Sequence, residues 1–552
     1  VGVRDMNSGR AARAAAAARE QRPVLVVGAG PSGLMAAVEL ARRGVPVRCV
    51  DRAEGPSPLS KALGVWPRTL ELLDRLGGLA HRSAHGLPQS GMRYYSRGRV
   101  IADIRFRPEV RPSVLPQPDV EEVIRTAFEG YGGWVEWGTE LLHLEQDEGG
   151  VKALMRDAVG TERREEFAYV VGADGASSRV RDLLGIPFEG ATYPIPFVVA
   201  DIHLDTSLDH DVTHYFCSDK GILVACGLPS GRWRVFTSGP PGLQRDQVDL
   251  ATVQALVDER GPGGLTLRDP DWVSVFSVHA RHAERTRSGR VFLVGDAAHI
   301  HSPAGGQGLN TGVADAHNLA WRLALVWHRQ VDADVLDAYE EERGQVARAV
   351  VRQAGTQTRL WMLTKPSQKL ARDTAVRTAS ALRLQDLAYL PWLAGLRTVY
   401  ASVPGSGRPP LVRHDRMTLG ALVPGATVWD DVAHRRIPLR SALSDLRHTL
   451  LVSGAGGVRR ETLDLLEWAG RELEDVLDVR LLDVRRDRLS VAGVVPRLRD
   501  GGRGGVRLSL VRPDNYVALH VAEADHAAVR AELSRLFRPV VAGTWHHRTT
   551  DS

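Results

Sequence analysis

Short apolar runs that end in glycine recur along this chain and set its expected architecture. Residues 24–27 are β-branched or aliphatic and run into Gly28, Gly30 and Gly33. Such a run predicts a strand buried in a parallel sheet, followed by a helix over about 31–43. A second strand over 45–50 ends at Asp51, and apolar strands over 170–172 and 290–294 end in Gly-Ala-Asp-Gly and Gly-Asp. A loop carrying Pro303, Gly305, Gly306 and Gly308 follows the last of these, and then a helix over about 310–326.

The middle of the chain changes rhythm. Short β-like runs over 197–204, 213–216, 221–228 and 232–238, joined by polar turns, predict an antiparallel sheet. Residues 338–354 continue as an Arg-rich helix, 357–403 are helical and partly apolar, and 404–412 is a Gly/Pro linker. The C-terminal part follows its own order: strand 448–454, a helix after Arg459, strand 476–484, hairpin 506–522 about Pro513, Asp514 and Asn515, and a helix over 524–537.

Composition narrows the class. A chain of 552 residues predicts about three to four domains. Basic residues exceed acidic ones only as 71 to 66 and are spread along the chain, which argues against nucleic-acid binding. The three cysteines show no metal or redox spacing, so a reducing cytoplasm is expected. No apolar run reaches the roughly 18 residues of a membrane span. Residues 1–20, rich in Ala and Arg, lack the apolar core of a secretory signal and are expected to be a mobile tail.

The glycine segments carry the chemistry. Gly28 permits a tight turn, Gly30 lets a pyrophosphate approach, and Gly33 lets helix pack on strand. The helix that opens at Pro31 and Ser32 aims free N–H groups at phosphates. Asp51 lies within the window of roughly 20 residues where an acid takes ribose hydroxyls, with Arg52 beside it. An acid there suits FAD or NAD better than NADP. Gly295-Asp296 decides between the two, because Asp296 can accept from a ribityl chain, which FAD has and NAD lacks. The loop at Pro303, Gly306 and Gly308 has little side-chain bulk and suits a flat ring. The helix behind it aims a positive end at that ring, which favours a reduced, anionic flavin.

These motifs resemble the class A (p-hydroxybenzoate-hydroxylase-like) FAD-dependent aromatic monooxygenases, in the branch that acts on aromatic polyketides and phenols. The resemblance rests on GAGPSG (28–33), LGVWPRTLELLDRLG (63–77), LPQPDVE (115–121), GADGASSRVR (172–181) and GDAAHIHSPAGGQGLNTGVADAHNLAWRLA (295–324). It implies an α/β fold: a Rossmann-like FAD-binding domain (21–185, then 281–403 with a helical extension), a substrate-binding antiparallel sheet (186–280), and a thioredoxin-like domain (413–545). No cysteine follows Cys226, so that last domain is expected to lack redox chemistry.

The resemblance also assigns roles. Gly28, Gly30, Gly33 and Asp51 would hold the ADP half of FAD, and Gln117 its pyrophosphate and ribityl region. Asp174, with Arg181 nearby, would serve both FAD and the approaching nicotinamide cofactor. Asp296 would bind the ribityl chain, Pro303 would sit over the reactive face, and Leu309 and Asn310 would offer N–H groups to the pyrimidine carbonyl. Two departures stand out: Lys61 where the family often has Arg, which loses the bidentate fork, and Asp51 where it often has Glu.

The implied chemistry is NADPH (or NADH) reduction of FAD, then dioxygen addition to give a flavin 4a-hydroperoxide that an electron-rich aromatic attacks in a dry pocket. Baeyer–Villiger oxygenation of a polyketide, and a non-catalytic flavin-binding partner protein, stay open as alternatives. The catalytic base is unassigned, with His299 and His301 as candidates beside the flavin loop. Phe216, Trp233 and Phe236 are candidate pocket aromatics. His203, His210 and His214 match no zinc spacing, so no metal is expected. A monomer or homodimer without a membrane partner is expected.

Overall fold

The strand Val24–Val27 sits at the heart of a six-stranded sheet, between Val47–Asp51 and Tyr169–Gly172, and is parallel to both. Val291–Leu293 joins Tyr169–Gly172, also in parallel, so three glycine-terminated strands open at one sheet end. The computed structural model describes residues 22–541 apart from 61, 245–246, 364, 404–405, 407–416, 432–433, 455–457, 484–487, 492–505 and 523–524. The tail 1–20, Lys61 and most of the linker 404–412 lie outside the described residues. Helix Pro31–Ala41 packs Leu34, Met35 and Val38 against Val26 and Phe292. The later flavin helix spans Gly308–Trp327, two residues earlier than the sequence pattern suggests, because Gly308 is already helical.

The antiparallel sheet has eight strands and reaches beyond 186–280. Val212–Ser218 pairs in parallel with Gly91–Ser96, which pairs in turn with Arg99–Arg105, and His299–Ile300 adds to the opposite edge. Strand alternation divides its two faces. One face buries Phe216, Leu223, Trp233 and Val235 under helix Leu250–Arg260. The other turns Phe197, Ile222, Phe236 and Phe276 toward Ala304 of the flavin loop and Trp361 of helix Asp337–Trp361. Phe236, a candidate pocket aromatic, lies on the sheet face turned toward the flavin loop. Phe216 and Trp233 do not, since their parity in their strands points them into the other core.

The C-terminal domain carries a seven-stranded sheet. His448–Gly454 pairs in parallel with Leu477–Asp483 and antiparallel with Arg507–Val511, which forms a hairpin with Val517–Ala522. Thr427–Asp430, Arg435–Pro438 and Arg488–Val491 extend the sheet at the other edge, strands that the hydrophobic pattern did not announce. Cys49, Cys217 and Cys226 are free thiols. Among the described residues no helix is long and apolar enough to cross a membrane, and no acidic, His or Cys cluster suits a metal.

Candidate flavin site

Two helix N-termini meet at the open end of the parallel strands. Helix Pro31–Ala41 starts behind Gly30, and helix Gly308–Trp327 starts behind Gln307. Ser32 locks them together: a Cβ on Gly295 would lie 2.4 Å from Ser32 Oγ, and one on Gly312 would lie 2.3 Å from it. A side chain at either position would force Ser32 to shift, and Gly295 also holds a positive φ of 58°. Gly33 is equally constrained, since its Cβ would fall 1.8 Å from the Gly28 carbonyl oxygen. Gly28 itself adopts a positive φ of 102°, a backbone open to glycine.

Gly30 and Gly308 are different. A Cβ on either meets no protein atom within 4 Å. Small residues at the heads of two helices, facing open space, form a cradle in which a dinucleotide backbone can lie against first-turn N–H groups. The first backbone bond into the flavin helix is Thr311 N to Gln307 O, so the N–H groups of Gly308, Leu309 and Asn310 have no partner within the helix. The donor set and the open space both fit FAD.

Asp51 stands at the rim. Its carboxylate accepts from Ala29 N at 2.7 Å and from Ala53 N at 2.8 Å, which fixes the side chain beside the glycine turn and leaves acceptor positions for hydroxyls. Arg52 next to it is exposed. Asp296 is exposed between buried Gly295 and Ala297, and Pro303 and Gly306 of the loop that follows are also exposed. Gln117 heads helix Gln117–Gly130; its Nε2 donates to Glu121 and its backbone N–H to Ser60 Oγ, next to the position of Lys61.

Asp174 and Arg181 are engaged within their own loop. Ser178 Oγ donates to Asp174 at 2.5 Å and Val180 N at 3.0 Å, and burial pushes the Asp174 carboxyl upward. Arg181 donates to the carbonyls of Ala176 and Ala297 and lies over the Phe188 ring at 3.9 Å. These contacts shape the wall under Asp296.

The flavin loop is held from behind. Asn310 donates to the carbonyls of Gly64 and Gly306, and its Oδ1 accepts from Trp66 N. Trp66 and Gly64 were absent from the sequence-based site; the motif LGVWPR carried them without revealing their contacts. One turn along the helix, buried Asp315 accepts from Gly295 N, from His299 Nε2 at 2.6 Å and from Arg343 Nε at 2.6 Å. Burial raises the Asp315 carboxyl, but Arg343 and then His299 outweigh it and keep it below the ordinary carboxylate range. An acid among the small and apolar residues Gly312–Ala316 was the available signal for Asp315.

His299 and His301 part ways here. His299 belongs to the Asp315 network. His301 donates Nδ1–H to Ser302 O at 2.7 Å, and burial pushes its pKa down to about 4, so it is neutral at pH 7. Over the loop, Tyr94 stacks on Tyr215 at 4.6 Å and Phe236 on Phe197 at 5.0 Å, giving the facing sheet an aromatic surface.

Comparison with known proteins points to a family of flavoproteins. The FAD binding domain family matches residues 21–354. The chain is similar to 6-methylpretetramide 4-monooxygenase of Streptomyces rimosus, 34% identical over 540 residues and covering 93% of each chain. The structure of the flavin-dependent monooxygenase PieE, in complex with FAD and substrate, aligns with a TM-score of 0.78 at 26% identity, over 95% of this chain and 99% of that one. The anhydrotetracycline hydroxylase OxyS of Streptomyces rimosus aligns with a TM-score of 0.73 at 28% identity, over 94% of this chain and 99% of that one.

Proposed function

We propose that this chain, which belongs to the FAD-binding family of aromatic monooxygenases, hydroxylates a large phenolic or polycyclic, polyketide-like aromatic. It is a flavoprotein monooxygenase, and FAD is its cofactor. The observation that carries the substrate class is the aromatic face of the eight-stranded sheet above the flavin loop. Similarity across 93% of a relative named for a polycyclic substrate supports it.

When bound, FAD supplies electron transfer and dioxygen activation, which side chains lack. The chain's own residues bind, orient and shield. Gly30 and the head of helix Pro31–Ala41 receive the pyrophosphate, and Asp51 and Asp296 take ribose and ribityl hydroxyls. The N–H groups of Leu309 and Asn310 stabilise negative charge at the pyrimidine edge. Phe236, Phe276 and Tyr215 exclude water around the aromatic substrate. Overall, NADPH, a proton and dioxygen convert an aromatic C–H to C–OH, releasing NADP⁺ and water.

The parallel strand–helix–strand unit beside an antiparallel hairpin supports a thioredoxin-like reading of 413–545, structural rather than redox-active. We propose with it the domain limits read from the sequence, a cytoplasmic location and a monomeric or homodimeric state.

The test is anaerobic NADPH reduction of the FAD-loaded protein with a panel of phenols, anhydrotetracycline and polycyclic quinones. One compound should accelerate flavin bleaching at least about tenfold and, on admitting air, gain one oxygen atom by mass spectrometry. Equal bleaching with all compounds, and peroxide as the only product, would overturn the proposal.

A further inference from the structure

The flavin helix Gly308–Trp327 belongs to two cores. Val313, Ala316, Leu319 and Leu323 pack with Leu34 and Phe292 of the FAD-binding domain. Trp321 and Leu325 pack instead with Leu450, Leu508, Leu510 and Phe537 of the C-terminal domain.

Between these apolar stripes lies a buried polar seam. Asp514, at the hairpin tip between Arg507–Val511 and Val517–Ala522, accepts at Oδ2 from Asn318 Nδ2 at 3.3 Å and Trp321 Nε1 at 3.2 Å. Arg512 grips Asp514 at 3.0 and 2.5 Å, and Glu342 at 2.7 and 2.9 Å. Glu342 also accepts from Asn318 and from Arg322, both at 2.9 Å. Arg68, two residues after Trp66, donates to the Asp514 carbonyl at 2.8 Å. Arg322 and Glu342 are each 1% exposed and Asp514 2%. Arg512, burial notwithstanding, holds the Asp514 carboxyl well below the usual range.

A second tie runs through Arg343, which binds Asp315 and donates to Tyr400 Oη, whose ring packs on Tyr516 at 4.3 Å. A cavity lined by Trp66, Asn310, Thr311, Arg343, Asp514 and Tyr516 lies on this side of the helix. Packing alone therefore does not fix the helix there. Directional hydrogen bonds do, because a shift of one residue, about 1.5 Å of rise and a third of a turn, would break them together.

We propose that Asp514 and Arg512 are positioning residues: the C-terminal hairpin sets the axial and rotational placement of the helix whose first-turn N–H groups meet the flavin ring. Asn318 and Trp321 stand about three and three and a half turns behind Gly308, so their placement is carried to the helix head as a rigid rod. The C-terminal domain thereby acts on the flavin without touching it.

The test compares FAD-loaded Asp514→Asn with Asp445→Asn. Asp445 lies in the same domain interface but pairs with Arg42, at the far end of the helix that receives the pyrophosphate, and with Arg75, the last residue of helix Pro67–Arg75. Asp514→Asn should weaken FAD binding at least tenfold and shift both the visible flavin spectrum and the midpoint potential. Asp445→Asn should lower the melting temperature while leaving spectrum and potential at wild-type values. Should Asp514→Asn fail to fold, Trp321→Phe, which removes one donor and keeps an aromatic ring, should weaken FAD binding and shift the flavin spectrum and potential, and wild-type values of all three would overturn the proposal. A wild-type spectrum, potential and FAD affinity in the folded variant, with only a lowered melting temperature, would reduce the seam to a structural role and overturn the proposal.

Discussion

Trp66 and Gly305 lie 239 positions apart, yet the Trp66 indole N–H donates to the Gly305 carbonyl at 3.0 Å. That bond, with Trp66 N to Asn310 Oδ1 at 2.9 Å, fastens the flavin loop to the strand Gly64–Val65. Gly305 and Gly306 both have positive φ, 83° and 61°, so the loop has little intrinsic preference for one shape. Trp66→Phe should keep the edge contact with Phe106 and lose the donor. We expect a stability loss of about 1 kcal/mol and FAD affinity reduced roughly tenfold, read by thermal melting and fluorescence titration. Unchanged FAD affinity would show that the loop is ordered by other contacts.

Glycines in the first turn should separate folding from cofactor binding. Gly33→Ala drives a methyl group into the Gly28 carbonyl and should destabilise by about 3 kcal/mol or more, with little folded protein recovered. Gly30→Ala meets only open space in the protein. Its melting temperature without FAD should match wild type, while FAD affinity drops at least about tenfold. Asp296→Ala should behave like Gly30→Ala, folded but depleted of flavin. Full flavin absorbance in either variant would remove that residue from the site.

Asp315→Asn leaves Arg343, 4% exposed, without its carboxylate. Removing one partner of a buried pair costs about 3–5 kcal/mol, so urea unfolding should shift by that amount. A loss under about 1 kcal/mol would mean that Tyr400 and the Thr311 carbonyl suffice to hold Arg343.

Acid lability should begin with histidines. Burial holds His301 at about 4, and burial followed by Arg512 holds His448 at about 3, both down from 6.5. Each is neutral when folded and protonates earlier when unfolded. Between pH 6.5 and 4 the unfolded chain therefore binds more protons, and stability falls as pH falls, by up to about 1.4 kcal/mol per pH unit for each group. Glu342 acts lower: burial raises it, Arg322 and Arg512 bring it to about 2, and its contribution is lost only as pH falls from 4.5 toward that value. Melting temperature against pH should flatten between pH 6.5 and 4 in His448→Leu and His301→Gln. An unaltered slope in both would place the titration elsewhere.

Phe236→Ala and Phe216→Ala should diverge, since the two rings lie on opposite sheet faces. Phe216→Ala should cost about 3–5 kcal/mol and leave the KM of the identified aromatic substrate unchanged. Phe236→Ala should raise that KM about tenfold or more. Equal effects on KM would erase the distinction between core and pocket.

Much of the candidate cofactor site was legible in the chain. Gly28, Gly30, Gly33, Asp51 and Gly295-Asp296 were legible because a glycine turn or an acid at the end of an apolar run is a pattern of consecutive residues; of these, Gly28 and Gly33 are also held to glycine by close backbone approach. Phe216 and Phe236 show the limit. Both are aromatics in β-like runs, and only the pairing register decides which face each one takes. Asp174 and Arg181 mark another limit: a motif names the residues, while competing partners such as Ser178, Val180 and Ala297 decide where their side chains point.

The sequence by itself determined the parallel strands, the glycine turns, the helix behind the loop and the resemblance to a flavin enzyme, since each rests on patterns a few residues long. Only the tertiary structure decided that Trp66 holds Gly305, that Asp315 joins His299 to Arg343, and that Asp514 reaches the flavin helix. Those contacts join residues from 16 to 239 positions apart. No local propensity encodes a hydrogen bond between segments that meet only once two cores have packed around one helix.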